Sequence, residues 1–338
     1  MNLKKYKFYS NIKNLNKKKW INFYSTHTNF NIYQTFEMFE FWRSNKSSTS
    51  FIFLLESDTG ECLSFCTGAI VFKGKGRIKL QSKSAIIYGG PLINENKNKR
   101  EILNYLLPRI EKYLKLKSKY IEFRNLYLDE SFKEIFAKNK WRYTPKVNYV
   151  VSLTTEKEVF SRFNRNKRKQ IRRALKEDIQ ISHDKTHGNI KGVFDVIKII
   201  YLKNFNDFLL PLPDLSFLMN LLVLKQAGLT AVIHNDKVIG GEIFLMDEKV
   251  IYGWFGGGLN VEYKKQSPMS VSNWATMKYG LENNLKVFDY GGAGIKDKEN
   301  RLREYKSAFG GELIENGMFS KINLPFVYKI ENGLNRLL

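Results

Sequence analysis

The residues best suited to chemistry lie near the carboxyl end. Lys298–Glu312 (KENRLREYKSAFGGE) carries the pair Tyr305-Lys306 just ahead of Phe309-Gly310-Gly311. A lysine held beside an aromatic ring and a glycine pair can meet a developing oxyanion or a phosphate. Taken alone, a solvated surface lysine is the plainer account. Upstream, Lys286–Gly294 (KVFDYGGAG) reads as a strand running into glycines, and Tyr252–Gly258 (YGWFGGG) as a strand containing them. Such glycines suit a bulge or a close backbone approach. They equally suit a substrate laid against an opened strand, its carbonyl near exposed backbone N–H groups. Neither a Gly-x4-Gly-Lys-Ser/Thr loop nor a G-x-G-x-x-G turn is present at these sites, so no mononucleotide or dinucleotide cradle is expected.

A second concentration of chemistry is electrostatic. Arg162–Lys176 holds eight Lys/Arg and no acid, with the spacing of a helix charged on several faces. RNA phosphates, an anionic lipid headgroup or plain solvent would each suit such a helix. His183 and His187 have a helical metal-ligand spacing, but they flank Asp184 in what reads as a strand end, with no third ligand in register, and no metal is expected. Cys62 and Cys66 read as reduced core thiols sharing one strand face. The four histidines offer no Ser/His/Asp or Cys/His set.

These residues need a scaffold, and the composition supplies one. The chain has 338 residues, enough for two domains of about 150 each. Lys+Arg 56 against Asp+Glu 33 gives a net charge of +23, which calls for an anionic partner. A sequence this rich in Lys, Asn and Ile carries part of that charge as composition, so only clusters have weight. A 43% hydrophobic share excludes a disordered basic tail. The longest apolar run, around Leu215–Leu224, falls short of the roughly 18 residues a membrane span needs. Met1–Trp20 has seven lysines and no apolar stretch behind them, so it does not read as a secretory signal. Two cysteines suit a reducing cytoplasm.

The order of elements repeats once. In the first half, a helix starts in Tyr33–Trp42, strands follow at Phe51–Glu56, Cys62–Lys73 and Arg77–Tyr88, and the first two join at Thr59-Gly60. A helix over Glu101–Leu116, a strand at Tyr120–Arg124, a short helix at Phe132–Lys138 and a strand at Asn148–Leu153 complete it. In the second half, helices Asn189–Phe205 and Leu215–Ala227 precede strands Thr230–His234, Val238–Met246 and Lys249–Phe255. Helix Ser270–Asn284 and strand Lys286–Tyr290 come last. Helix, meander, helix, strand is the plan of a GNAT-type acyltransferase. The predicted fold is α+β, with two tandem GNAT-like domains at 1–155 and 156–338 and the last ~20 residues packing back on the first.

Spaced motifs add a resemblance. Phe288-Asp289-Tyr290-Gly291-Gly292-Ala293-Gly294, followed by Tyr305-Lys306-x-x-Phe309-Gly310-Gly311-Glu312-Leu313, resembles the C-terminal signature of the Fem-type (FemA/FemB/FemX-like) peptidoglycan aminoacyltransferases. Tyr33-Gln34-Thr35 with Trp42, Gly89-Gly90-Pro91, Ile121–Asn125 and Trp141…Asn148-Tyr149 resemble elements of that family's first domain. Arg165…Arg168-x-x-Ile171-Arg172-Arg173 resembles the basic helix opening its second.

The resemblance implies tandem GNAT-like domains with mixed sheets and no long coiled-coil insertion. It implies no metal and no bound cofactor, with aminoacyl-tRNA as co-substrate. The ester's acyl group would pass to an amine on a diphosphate-containing peptidoglycan precursor. Lys306 would stabilise the transition state, an effect of about 2.7–4 kcal/mol by analogy with an oxyanion-hole donor, with Tyr305 shaping its surroundings. Asp289, Glu304 or the tRNA itself would take the amine's proton. Gln34, Trp42 and Arg124 would line the acceptor side, and Arg165, Arg168, Lys169, Arg172 and Arg173 would bind polyanion. The work would be done in the cytoplasm, peripherally at the inner face of the membrane. The Arg and Tyr that relatives use to grip the acceptor diphosphate have no counterpart around Tyr201–Pro213.

Lys264–Ser270 (KKQSPMS) lacks the Gly-x-Gly/Ala that seats coenzyme A pyrophosphate on a helix N-terminus, which disfavours acyl-CoA as donor. A Ser-Pro turn there also occurs in polysaccharide-locus acyltransferases, so a second reading acylates an amino sugar of a surface polysaccharide, with acyl-CoA as donor. The third is a non-catalytic protein that binds RNA or a membrane surface.

Overall fold

A contiguous apolar run makes a strand that must be covered on both faces, and Phe51–Leu55 shows it. Phe51, Phe53 and Leu55 enter one core, while Ile52 and Leu54 enter another. The computed structural model describes residues 6–13, 15–72, 83–203 and 214–323. It divides into two units, Met1–Pro145 with Asn316–Leu338, and Lys146–Glu315.

The first unit has strands β1 (Tyr6–Tyr9), β2 (Ser48–Ser57), β3 (Cys62–Phe72), β4 (Lys83–Tyr88), β5 (Leu92–Ile93), β6 (Tyr120–Arg124) and β7 (Arg142–Thr144). Helices α1 (Lys17–Ser25) and α2 (Phe36–Ser44) cover one face with Trp20, Tyr24, Phe36 and Phe39. Helices α3 (Lys99–Leu114) and α4 (Glu130–Lys138) cover the other through Ile102, Leu106, Ile110, Ile135 and Phe136. Helix α2 starts at Phe36 because Thr35 caps it, Oγ1 accepting the Met38 N–H at 3.2 Å. Gly60 closes the β2–β3 hairpin at φ 84°. Of the expected strand Arg77–Tyr88, the part before Lys83 lies outside the described residues.

Cys62 and Cys66 do not share a face. Cys62 lies in the α1/α2 core and Cys66 in the α3/α4 core. A bulge explains it: Leu55 pairs with Ser64 but Glu56 with Cys62, so one extra residue on β3 reverses the alternation. Both thiols are buried, and burial pushes the Cys62 thiol up to about 11.

The second unit begins with β8 (Val147–Ser152), α5 (Glu156–Arg162) and α6 (Arg165–Ala174). It continues through β9 (Gln180–Ser182), α7 (His187–Lys203), α8 (Leu215–Leu222), β10 (Ala227–His234), β11 (Lys237–Met246) and β12 (Val250–Gly258). Helix α9 (Pro268–Glu282), β13 (Val287–Asp289), α10 (Arg301–Ser307) and β14 (Glu312–Glu315) complete it. Its sheet runs β14-β8-β13-β12-β11-β10-β9, antiparallel except for β12–β13. Asn235 and Asp236, at φ 47° and 57°, turn the β10–β11 hairpin as expected. The helix expected over Leu215–Ala227 stops at Leu222, because Ala227 and Gly228 pair with Leu245 and Phe244 in the sheet. Consecutive glycines let helices close on both faces of β11: a Cβ at Gly240 would sit 2.7 Å from Pro268 of α9, and one at Gly241 would sit 2.5 Å from Val193 of α7.

The last strands are exchanged. Strand β8 follows β7 in the chain yet sits between β13 and β14 in the second sheet. Strand β15 (Met318–Ile322) follows β14 yet sits between β6 and β7 in the first, with Phe319 stacked 4.0 Å from Phe136. Sequence order puts Asn148–Leu153 with the first domain, whereas its ladder partners are those of the second. No helix among the described residues is long and apolar enough to cross a membrane.

Candidate active site

Strands β12 and β13 run parallel for only three pairs, ending at Tyr252↔Asp289. Beyond Tyr252, β12 continues to Gly258 laddered to β11, while the chain after β13 turns away through Gly291 and Gly292 at φ 73° and 142°. Lys306, on α10, reaches this parting. It is 8% exposed, and its ammonium donates to the carbonyl of Tyr290 at 2.9 Å and to that of Gly292. Lysine has three N–H donors, and the third has no acceptor among the described residues. The Tyr290 hydroxyl is a second buried donor, and no partner for it exists among the described residues.

Two buried carboxylates, Asp289 and Glu242, act on the lysine through their charge. Asp289 accepts from Asn148 Nδ2 and from the Gly291 N–H, both at 2.6 Å. Glu242, on β11, accepts from Asn273 Nδ2 at 3.1 Å, and Asn273 Oδ1 accepts from the Tyr305 hydroxyl at 2.8 Å. Burial raises Glu242 to about 7 against the lowering effect of Asn273, Thr276 and Lys306. Burial lowers Lys306 to about 8, while Glu242 and Asp289 pull it back up. Asp289 is also raised by burial. Sequence reasoning misses Glu242, although a signal is present: a lone acid in VIGGEIFLM, a strand otherwise apolar and glycine-rich.

It misses Lys167 too. On α6 the buried residues are Lys167, Ile171 and Ala174, a helical stripe with a cation at its head. The Lys167 ammonium lies 2.9 Å from Ser270 Oγ, 4.4 Å from the Tyr305 ring centroid and 4.9 Å from that of Phe309. Burial alone lowers it to about 8. Tyr305 thus stands between Lys167 and the Asn273–Glu242 pair.

The other residues singled out are distributed as follows. Glu304 is exposed on α10, and residues two apart on a helix face different ways, so it is not brought together with Lys306. Arg165, Lys169, Arg172 and Arg173 are exposed on α6. Arg168 instead ties the helix down, donating to the carbonyls of Ser161 (2.8 Å) and Phe163. In the first unit, Gln34 is fully buried and spends its amide on backbone: Nε2 donates to Thr67 O (2.9 Å) and Tyr88 O (2.7 Å), and Oε1 accepts the Thr67 N–H (2.9 Å). It takes over where the β3–β4 ladder stops at Ala69↔Ile86. Arg124 donates to Glu122 and, at 2.9 Å, to the Tyr88 hydroxyl. Trp42 is buried, its ring 5.2 Å from Phe41. His183 contacts Leu229 O and Thr230 Oγ1. Among the described residues no three His, Cys, Asp or Glu side chains are grouped to hold a metal.

The N-terminus of α9 is closed. Pro268 has no N–H, and the Met269 N–H goes to Asn260 Oδ1 at 3.2 Å. Those of Ser270 and Val271 go to Ser267 O at 2.9 and 3.1 Å. A Cβ at Gly258 would sit 2.4 Å from the Met269 nitrogen.

Residues 161–307 match the family model of the acetyltransferase (GNAT) domain. No curated protein matches the sequence. Among solved structures, FemX is similar at 16% identity, covering 94% of this chain and 98% of its own, with a TM-score of 0.69. A tandem GNAT protein from the clavulanic acid biosynthesis pathway is similar at 10% identity, with the same coverages and a TM-score of 0.61. The C-terminal domain of a putative lysylphosphatidylglycerol synthetase from Agrobacterium fabrum is similar at 12% identity, over 84% of this chain and 88% of its own, with a TM-score of 0.53. The chain has a tandem GNAT fold like that of FemX, and its second unit is a GNAT acyltransferase domain.

Proposed function

We propose that this acyltransferase moves an aminoacyl group from aminoacyl-tRNA to an amine on a diphosphate-containing peptidoglycan precursor, with no bound cofactor. The observation that carries the donor assignment is the closed N-terminus of α9. A coenzyme A pyrophosphate seated there needs free N–H groups, and those of residues 269–271 are already spent on Asn260 and Ser267. The cations of α6 that face solvent, Arg165, Lys169, Arg172 and Arg173, suit RNA phosphates instead. The acceptor assignment rests on the Fem-type motifs around Lys306, with the reaction placed in the cytoplasm at the membrane's inner face.

In this reading the acceptor amine, once neutral, attacks the ester carbonyl. Negative charge grows on the carbonyl oxygen, and the third Lys306 hydrogen with the Tyr290 hydroxyl are the donors left to receive it. The C–O bond to ribose then breaks, and the proton that the attacking nitrogen gives up as the amide forms goes to the departing ribose oxygen. Arg124, Gln34 and Trp42 serve the acceptor side, Gln34 by holding the β3–β4 end in shape. Incubation with labelled aminoacyl-tRNA pools and candidate precursors, with and without ribonuclease, tests the reading. Transfer abolished by ribonuclease is expected. Transfer that survives it, or that requires acyl-CoA, contradicts the donor.

A further inference from the structure

We infer that Glu242 is a positioning residue for Lys306: it is the buried counter-charge that keeps that ammonium protonated inside the second unit. The inference bears on rate only if Lys306 meets the acyl carbonyl as proposed above, whereas the protonation of Lys306 can be followed without any substrate.

Four elements near Lys306 contribute titratable groups. Strand β11 supplies Glu242, β13 supplies Asp289 with Tyr290 after it, α10 supplies Tyr305, and α6 supplies Lys167 across the Tyr305 ring. Asp247, at the end of β11, acts on Asp289. Asp289 is the better-solvated anion electrostatically, since it accepts two hydrogen bonds at 2.6 Å from Asn148 and Gly291. Glu242 is held differently. Asn273 orients one carboxylate oxygen, Tyr305 orients Asn273, and Tyr305 precedes Lys306 in the chain. The other oxygen faces Gly253, where a Cβ would lie only 2.5 Å away. A glycine at 253 therefore makes room for the carboxylate, and the Gly253 carbonyl in turn lies 2.7 Å from where a Cβ of Gly291 would sit, between the two carbonyls of Tyr290 and Gly292 that hold the Lys306 ammonium. A desolvated ammonium this deep holds its proton less firmly without nearby negative charge, and Lys167, with no anion acting on it among the described residues, is held by aromatic faces and a hydroxyl.

The test reads Lys306 directly and needs no substrate. Lysines carrying 13C at Cε are titrated by NMR in the full chain, with the Lys306 signal assigned by its loss in Lys306→Met. Glu242→Gln keeps the shape and removes the charge, so the Lys306 titration should fall by roughly 1–3 pH units, while Glu242→Asp should stay near wild type. Gly253→Ala, which displaces the carboxylate without deleting it, should also lower the titration, and it decides the matter if Glu242→Gln does not fold. A Lys306 titration unmoved in folded Glu242→Gln, or in Gly253→Ala, overturns the inference. A shift in titration with no aminoacyl transfer in any assay leaves the coupling standing and removes the proposed function. Transfer whose alkaline limb is the same in wild type and Glu242→Gln does the reverse.

Discussion

The ammonium of Lys306 lies 2.9 Å from the carbonyl oxygen of Tyr290, the residue that follows β13. That hydrogen bond fixes a cation where β12 and β13 part, and places it beside a tyrosine whose own hydroxyl is buried without a partner among the described residues. An unpaired buried hydroxyl costs about 1–3 kcal/mol, a cost a reacting oxyanion would relieve. Tyr290→Phe is therefore expected to hold or raise the melting temperature while lowering turnover by about tenfold or more, an effect smaller than that of removing Lys306. Calorimetry alongside single-turnover transfer checks both halves of the statement.

Gly310 belongs to the Phe309-Gly310-Gly311 motif, and its role is steric. It sits at φ 67°, and a Cβ there would lie 2.2 Å from the Arg162 carbonyl oxygen. Gly310→Ala combines a left-handed backbone with a backbone clash, so a loss of about 3 kcal/mol or more is expected. Urea denaturation of the purified variant measures it. Gly292→Ala makes a useful contrast, since no atom lies within 4 Å of a Cβ there and its cost comes from φ 142° alone.

The pH dependence has a definite sign. In the proposed reaction Lys306 acts as an ammonium, so activity should fall as pH rises through about 8. Glu242 must be a carboxylate to support it, so activity should also fall as pH drops through about 7. The two groups interact, and a bell of kcat/KM with apparent limbs near these values reports the pair. Glu242→Gln should lose the acidic limb and move the alkaline limb downward.

Much of this is legible in the sequence, and what is not has physical causes. The meanders and most of the helices follow from periodicity and from turn residues such as Gly60 and Asn235-Asp236, whereas α1, α5 and α10 are short segments whose period the sequence does not show. The Lys306 segment stands out because an aromatic–lysine pair is followed by Phe309 and two glycines, of which Gly310 takes φ 67°. Glu242 and Lys167 are hidden for the same reason. A lone charge on an apolar face is normally excluded from a core, and only tertiary contacts, with Asn273 for one and with Ser270 and Tyr305 for the other, show that it is kept. The bulge that parts Cys62 from Cys66 leaves no local signature. Strand exchange is invisible to any local rule, because β8 reads as an ordinary strand wherever it pairs and nothing in the residues of β15 names its neighbours.

Helix α6 divides its charge between two tasks. Lys167 is turned inward, and Arg168 is tied to the carbonyls before it, while Arg165, Lys169, Arg172 and Arg173 remain in solvent. Replacing those four with glutamine should leave stability within about 0.5 kcal/mol, since none is buried. It should flatten the log–log salt dependence of tRNA binding by about 0.7–0.9 for each phosphate no longer neutralised. Filter binding across a salt series gives the slope.

The proposed aminoacyl transfer requires the Lys306 cation to meet the carbonyl of a tRNA ester. The most direct measurement is single-turnover transfer from labelled aminoacyl-tRNA at saturating acceptor, comparing wild type with Lys306→Met. The predicted result is a chemical step slower by about 10²–10³-fold, or about 2.7–4 kcal/mol, with tRNA binding unchanged and the fold intact by calorimetry. A Lys306→Met protein that is folded and transfers at the wild-type rate would contradict it.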